Sequence, residues 1–198
     1  MRLAQAYRFE LAPNDDTAGA LASHIGADRF AFNWGLALVK ARLGARARVI
    51  EQCVVEGRSD REAAAVANTV VVPWTLASLR KEWNRSKATV APWWAENSKE
   101  AYSSGLDRLA RALQAFSDSR SGRRRGPPAG FPRFRRRGGR ASVAFTTGAI
   151  AVVDEHHVRL PRIGVIRTKE ATTSLARRLD AGSARIRRAT VSTRGGRW

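Results

Sequence analysis

Apolar and polar side chains alternate along Ala6-Tyr7-Arg8-Phe9-Glu10-Leu11, which puts Tyr7, Phe9 and Leu11 on one face of a short strand that Pro13 ends. Asn14 can cap a helix, and Asp15 and Asp16 suit the positive end of its dipole, so a helix is predicted from there to about Gly26. Ala27, Phe30, Ala31, Trp34 and Leu38 then recur at spacings of three and four, which predicts a second helix to about Ala45. A third is predicted over 60–68. Pro73 opens a fourth over 75–87, striped by Leu76, Leu79 and Trp83, and Pro92-Trp93-Trp94 forms an aromatic turn. Ser98 caps a long last helix with Tyr102, Leu106, Leu109, Leu113 and Phe116 along one face. Residues 1–118 thus amount to one strand and a helical bundle.

From Ser117 the period changes. Ser, Gly, Arg and Pro dominate up to Pro132, as in a mobile linker. Strand-like runs follow at hairpin spacing over 141–146, 149–153, 157–160 and 164–168, then a short helix over 172–179 closed by Gly182. Residues 185–193 set Ile186, Arg188, Thr190 and Ser192 against Arg187, Ala189 and Val191, a strand with one face turned to a charged ligand. Gly195-Gly196 signals a hairpin turn with only Arg197 and Trp198 after it, so the chain is expected to be the front part of something longer. The predicted fold class is α+β.

The charge is lopsided. Residues 1–118 carry 16 Lys+Arg against 13 Asp+Glu, and residues 119–198 carry 20 against 4, so +16 of the net +19 lies in the second stretch. Such density repels itself unless a polyanion neutralises it, which points to nucleic acid. Arg outnumbers Lys 31 to 5; its planar fork suits phosphates and base edges, and a GC-rich genome gives the same bias. The lone Cys53 excludes a disulfide framework or an all-cysteine zinc site and is expected to be a small buried apolar residue. Charges at Arg2, Arg8 and Glu10 break any signal-peptide core, and no apolar run is long enough to span a bilayer, so a cytoplasmic protein with no membrane partner is expected.

Other candidate chemistry is thin. His24, His156 and His157 have no ligand spacing and are expected in exposed turns, and the tryptophans at 34, 74, 83, 93 and 94 are expected to serve packing. Phosphodiester cleavage with two metals needs several converging carboxylates, whereas the basic half holds Asp154, Glu155, Glu170 and Asp180. No catalytic site, cofactor, metal or small-molecule substrate is therefore expected. Gly130-Phe131-Pro132-Arg133-Phe134-Arg135-Arg136-Arg137 admits two readings. Its arginines meet phosphates while its phenylalanines stack on bases or pin the strand, or it is a solvated basic linker with two aromatics tucked into a groove. Arg162, Arg167 and Lys169 surround an apolar strand, the pattern of an edge guarded by charge.

Three stretches together resemble the N-terminal half of the TnpB (OrfB) proteins of bacterial insertion sequences: Asp28-Arg29-Phe30-Ala31-Phe32-Asn33-Trp34, Gly130-Phe131-Pro132-Arg133-Phe134-Arg135, and Leu160-Pro161-Arg162-Ile163-Gly164 with Arg167-Thr168-Lys169. Their order and spacing match, as does the opening strand with Leu11-Ala12-Pro13-Asn14, and the resemblance covers nearly the whole chain. It implies a split small β-barrel, the wedge, made from residues 1–12 and 141–198 and incomplete at the C-terminus. An inserted α-helical bundle over 13–118, the recognition lobe, and a basic linker over 119–140 complete the division. Full members of the family are RNA-guided DNA endonucleases related to the type V CRISPR effectors, with a RuvC-like nuclease domain after the wedge. For this chain the resemblance implies binding of guide RNA and DNA, without cleavage.

In that family the motif beside the target is read from the start of the recognition helix and from a polar pair that follows a Phe in a wedge loop. Here those positions are Lys99 and Ser103, and Thr146 and Thr147 after Phe145. Arg133, Arg135 and Lys169 match basic positions expected to face guide RNA or the heteroduplex backbone, and Arg136, Arg162 and Arg167 join them as expected nucleic-acid-binding residues. The family's N-terminal part is also described as a helix-turn-helix, which would give residues 28–45 a DNA-reading role; their best face is apolar rather than base-reading. Two rival readings are an intact helix-turn-helix DNA-binding protein of a mobile element and a structural RNA-binding protein of ribosomal type.

Overall fold

The computed structural model describes residues 4–138, 141–193, 195 and 197–198. The chain divides into two compact units, one of Met1–Arg29, Trp93–Ser104 and Arg136–Trp198, the other of Phe30–Pro92 and Gly105–Arg135. Helices α1 (Asp15–Val55) and α4 (Lys99–Arg120) contribute residues to both.

α1 begins as predicted, with Asn14 Oδ1 accepting from Thr17 N at 3.0 Å, but it does not stop at Gly26. A helical glycine costs about 1 kcal/mol relative to alanine, too little to break a helix whose buried face continues past it. That face comprises Leu21, His24, Ile25, Ala27 and Asp28 in the first unit and Ala31, Phe32, Leu36 and Val39 in the second. It is rotated from the predicted stripe, since Phe30, Trp34 and Leu38 are only half-buried.

In the second unit α2 (Asp60–Asn68) and α3 (Leu76–Val90) each open on a reciprocal capping box, Ser59 with Glu62 and Thr75 with Ser78, which satisfies two otherwise orphaned amide groups per helix. Trp83 is buried and meets Trp34 and Phe30 edge-on, with ring centroids 5.3 and 6.2 Å away. A side chain at Gly35 would stand 2.7 Å from Leu109 Cδ2, so glycine lets α1 and α4 approach closely there. Cys53 is buried, as expected.

The first unit holds the strands. β1 (Leu11–Ala12), β3 (Ala151–Asp154), β4 (His157–Leu160) and β5 (Gly164–Thr168) form an antiparallel sheet in the order β1-β5-β4-β3, while β2 (Ala141–Phe145) pairs antiparallel with β6 (Ala189–Thr193). A short helix, α5 (Thr173–Asp180), lies between β5 and β6 in the chain. Among the described residues no ladder joins the two sheets, so this is an α+β fold with five α-helices and antiparallel sheets, and the strands do not close into a barrel. β1 is shorter than its alternation predicts, although Tyr7 and Phe9 do share a face, with rings stacked at 6.4 Å. β6 begins at Ala189 instead of 185 because its partner strand ends at Phe145, where the next amide, on Thr146, leaves the ladder for the Glu100 carboxylate. Of the predicted Gly195-Gly196 turn, Gly196 lies outside the described residues; Trp198 O accepts from Leu11 N at 3.1 Å. Among the described residues no helix is long and apolar enough to cross a membrane.

Candidate nucleic-acid interface

Two polar positions of the first unit, far apart in sequence, are brought together by buried groups beneath them. Ser98 Oγ accepts from Glu100 N at 3.3 Å and opens α4, while Ser98 N donates to His24 Nε2 at 3.0 Å. Because Nε2 accepts, the ring proton sits on Nδ1, which donates to Ala20 O at 2.8 Å. The His24 ring lies 5.9 Å from that of Phe145, the fully buried last residue of β2. His24 is thus a buried fastener between the start of α4 and the end of β2, and not the exposed turn residue the sequence suggested. His156 does lie in the β3–β4 turn while His157 opens β4; both are half-buried, with His157 Nδ1 2.7 Å from Asp154 Oδ1.

Above this support, Lys99 and Ser103 occupy positions one turn apart on α4, and so share a face. Thr146 and Thr147 stand exposed in the loop after β2. The link between helix and loop is Glu100. One carboxylate oxygen, Oε2, accepts from Thr146 N at 2.9 Å and from Thr146 Oγ1; the other, Oε1, accepts from Thr147 Oγ1 at 2.9 Å. Partial burial pushes the Glu100 carboxyl up, but the Thr146 and Thr147 hydrogen bonds and the Lys99 charge outweigh it and hold its pKa below the ordinary glutamate value. Gly148 closes the loop with φ +89°, and a Cβ there would meet Pro161 Cγ at 3.0 Å, so two separate constraints demand glycine.

The basic residues of the first unit are placed differently from one another. Arg162 takes φ 62° and donates from Nη1 to Ala95 O at 2.7 Å, which ties part of its guanidinium to the 3-10 turn Pro92–Glu96. Arg167 is exposed on β5, opposite in alternation to buried Ile166 and Thr168. Lys169 is exposed but its Nζ is paired with the Glu10 carboxylate, and that hydrogen bond lowers the Glu10 pKa. Arg136 is exposed. Trp93, expected to pack, is 42% exposed.

In the second unit the Gly130–Arg135 segment is held rather than free. Phe131 packs edge-on against Phe116 with centroids 5.2 Å apart, and Pro132 is buried. Asn33 clasps the Arg135 backbone as a strand partner would, donating from Nδ2 to Arg135 O at 2.9 Å and accepting from Arg135 N at 2.8 Å. The Arg135 guanidinium lies 4.7 Å over the Phe32 ring, and Lys40 Nζ 4.8 Å over Phe134. Phe134 remains 49% exposed, and Arg133 and Arg135 are exposed on either side of it. Phe131 is therefore an anchor, and Arg133, Phe134 and Arg135 form an exposed cationic and aromatic surface. Pattern reasoning did not single out Glu100, Asn33 or His24. Asn33 alone had a signal, its place in the Asp28–Trp34 stretch.

The buried His24 carries a pH consequence. Desolvation by burial lowers its pKa from the ordinary 6.5, the Arg162 charge lowers it further, and the Ala20 hydrogen bond opposes them. The unfolded chain then binds the proton more readily than the folded one, so this contribution to stability is fully present above about 6.5 and is lost as pH falls below it. Thermal unfolding midpoints of the wild type are expected to drop between pH 7.5 and 5 by more than those of His24→Gln, whose amide cannot titrate. Equal drops would show that His24 does not titrate on unfolding.

Residues 1–47 match a helix-turn-helix domain of the OrfB type. Two proteins from two strains of Mycobacterium tuberculosis, provisionally named RNA-guided DNA endonucleases, are each 38% identical to this chain over 202 aligned positions covering 98% of it. The chain spans about 40% of the length of these curated relatives. The similarity bears out the resemblance read from the sequence. Residues 15–47 of the matched domain form one uninterrupted stretch of α1, with no turn between two helices.

Proposed function

We propose, for a chain of this OrfB/TnpB kinship, that it binds guide RNA and double-stranded DNA and reads a short motif beside the target without cutting. The observation that carries the reading is that Glu100, which follows Lys99 and lies three residues before Ser103 on α4, bonds to both Thr146 and Thr147 in the loop after β2. Four exposed or half-exposed polar side chains on two elements offer several directed contacts to base edges, which is what sequence discrimination requires. The arginines at 133, 135, 136, 162 and 167 and Lys169 then supply the sequence-independent attraction to phosphate. In this reading the two sheets of the first unit belong to the wedge, the helices over 13–118 to the recognition lobe, and 119–140 is the basic connection between them. A groove-reading helix-turn-helix is less favoured, because residues 15–47 provide a single helix whose inward face is committed to the core.

The test is selection from a duplex library randomised over six positions, using protein purified with its co-expressed RNA. The wild type is expected to enrich a short motif. Lys99→Ala with Ser103→Ala should cut discrimination at one or two of its positions by roughly 1–3 kcal/mol each, the worth of a good base contact, while non-specific affinity stays nearly unchanged. Absence of any motif in the wild type, or full retention in the double variant, would overturn the reading.

A further inference from the structure

A threonine hydroxyl has one proton to give and two lone pairs to offer, whereas an ionised carboxylate can only accept. Both Thr146 Oγ1 and Thr147 Oγ1 lie within hydrogen-bond distance of Glu100, on separate carboxylate oxygens. Each hydroxyl proton therefore points inward to Glu100, and the outward side of each threonine is left with lone pairs and a methyl group. The Thr146 amide is consumed in the same way, at 2.9 Å from Oε2. The lowered pKa of Glu100 keeps it ionised across the neutral range, which supports this polarity.

We infer that Glu100 is a positioning residue that sets the hydrogen-bond polarity of the Thr146–Thr147 pair, making it select amino-bearing bases, adenine or cytosine, in the major groove. The inference rests on the motif-reading function proposed above. In that groove adenine presents its N6 amino group and cytosine its N4 amino group, whereas guanine O6 and thymine O4 are acceptors that would face threonine lone pairs. The Glu100 charge beside the pair acts in the same direction, since a carboxylate repels acceptor edges and attracts amino groups. Lys99, the residue before Glu100 on α4, carries no such restriction: an ammonium has donors only and seeks guanine or phosphate. The two halves of the interface thus have opposite preferences, and Glu100 is what separates them.

The test uses the same duplex library with five proteins: wild type, Thr146→Ala, Thr147→Ala, Glu100→Gln and Glu100→Asp, each checked for an unchanged circular dichroism spectrum. The wild type should favour adenine or cytosine over guanine or thymine at the positions lost in Thr146→Ala and Thr147→Ala, by a factor of roughly five each, the low end for a base contact. Glu100→Gln can donate from its amide to a threonine oxygen and release a hydroxyl proton outward, so guanine or thymine should gain at one of those positions. Glu100→Asp keeps an acceptor-only group and should keep the wild-type preference, with weaker selection. A role confined to bracing the loop would lower selection in both variants and leave base identity alone, and that result overturns the inference. Guanine or thymine at both positions in the wild type overturns it too. Selection of no motif at all would instead bring down the proposed function along with it.

Discussion

Replacing Arg133, Arg135 and Arg136 together by alanine is expected to flatten the salt dependence of nucleic-acid binding by about two to three units of log–log slope. Each phosphate neutralised contributes about −0.9 for duplex DNA and about −0.7 for single strands, because binding releases condensed counterions. All three arginines are exposed and so accessible to a phosphate. The expected loss in affinity at low salt is correspondingly about a hundredfold or more, the largest of any change considered for this protein. Alanine retains the backbone N and O of residue 135, the atoms that Asn33 holds, so the segment should keep its path while losing its charge. The measurement is fluorescence anisotropy of a labelled duplex and of a labelled single-stranded RNA from low to physiological salt. A wild-type affinity that barely responds to salt, or a triple variant with the wild-type slope, would remove this block from the interface.

The elements of this chain that are fixed locally were legible in its sequence. The helices predicted over 60–68 and 75–87 are found as α2 and α3, whose starts the structure fixes with the Ser59 and Thr75 capping boxes, and the strands predicted over 157–160 and 164–168 are found as β4 and β5. What the sequence obscured depends on contacts between distant segments. Gly26 carries the same local signal as a helix-ending glycine, and only the buried face continuing from Ile25 through Ala27 to Ala31 shows that it is an interior residue. The stripe drawn through Phe30, Trp34 and Leu38 chose the largest apolar side chains, while the core took Phe32, Leu36 and Val39 beside them. His24 looked like a surface histidine because its partner, the Ser98 amide, lies 74 positions away. Lys99, Ser103, Thr146 and Thr147 were singled out through family resemblance alone; of these, the two threonines bond to Glu100, which Lys99 precedes on α4. No period or spacing could have announced Glu100, since an acidic residue in the first turn of a helix is ordinary for the dipole alone.

Phe145→Ala is expected to be the most destabilising single substitution near the interface, by about 3–5 kcal/mol, the range for deleting a large ring from a packed core. Phe145 is fully buried, ends β2, and stands against the His24 ring at 5.9 Å. Removing it takes away the transfer energy of the ring and leaves a cavity beside His24, whose Nε2 must stay aimed at the Ser98 amide for α4 to begin correctly. The residue immediately after it, Thr146, is held to Glu100 only as long as β2 delivers it there. The damage should therefore reach both halves of the candidate site together. For a chain of this length the thermal midpoint should fall by about 6–20 °C, at about 2–4 °C per kcal/mol. Phe145→Leu, which fills much of the same volume, should lose far less. Measured below the midpoint of the variant, binding to phosphate should persist through the exposed arginines while discrimination among bases weakens. That split separates a support for the reading residues from a general support of the fold. An unchanged midpoint would show that the ring is not a keystone of this packing. Phosphate binding lost in step with base discrimination would show that the two parts of the surface are not independent.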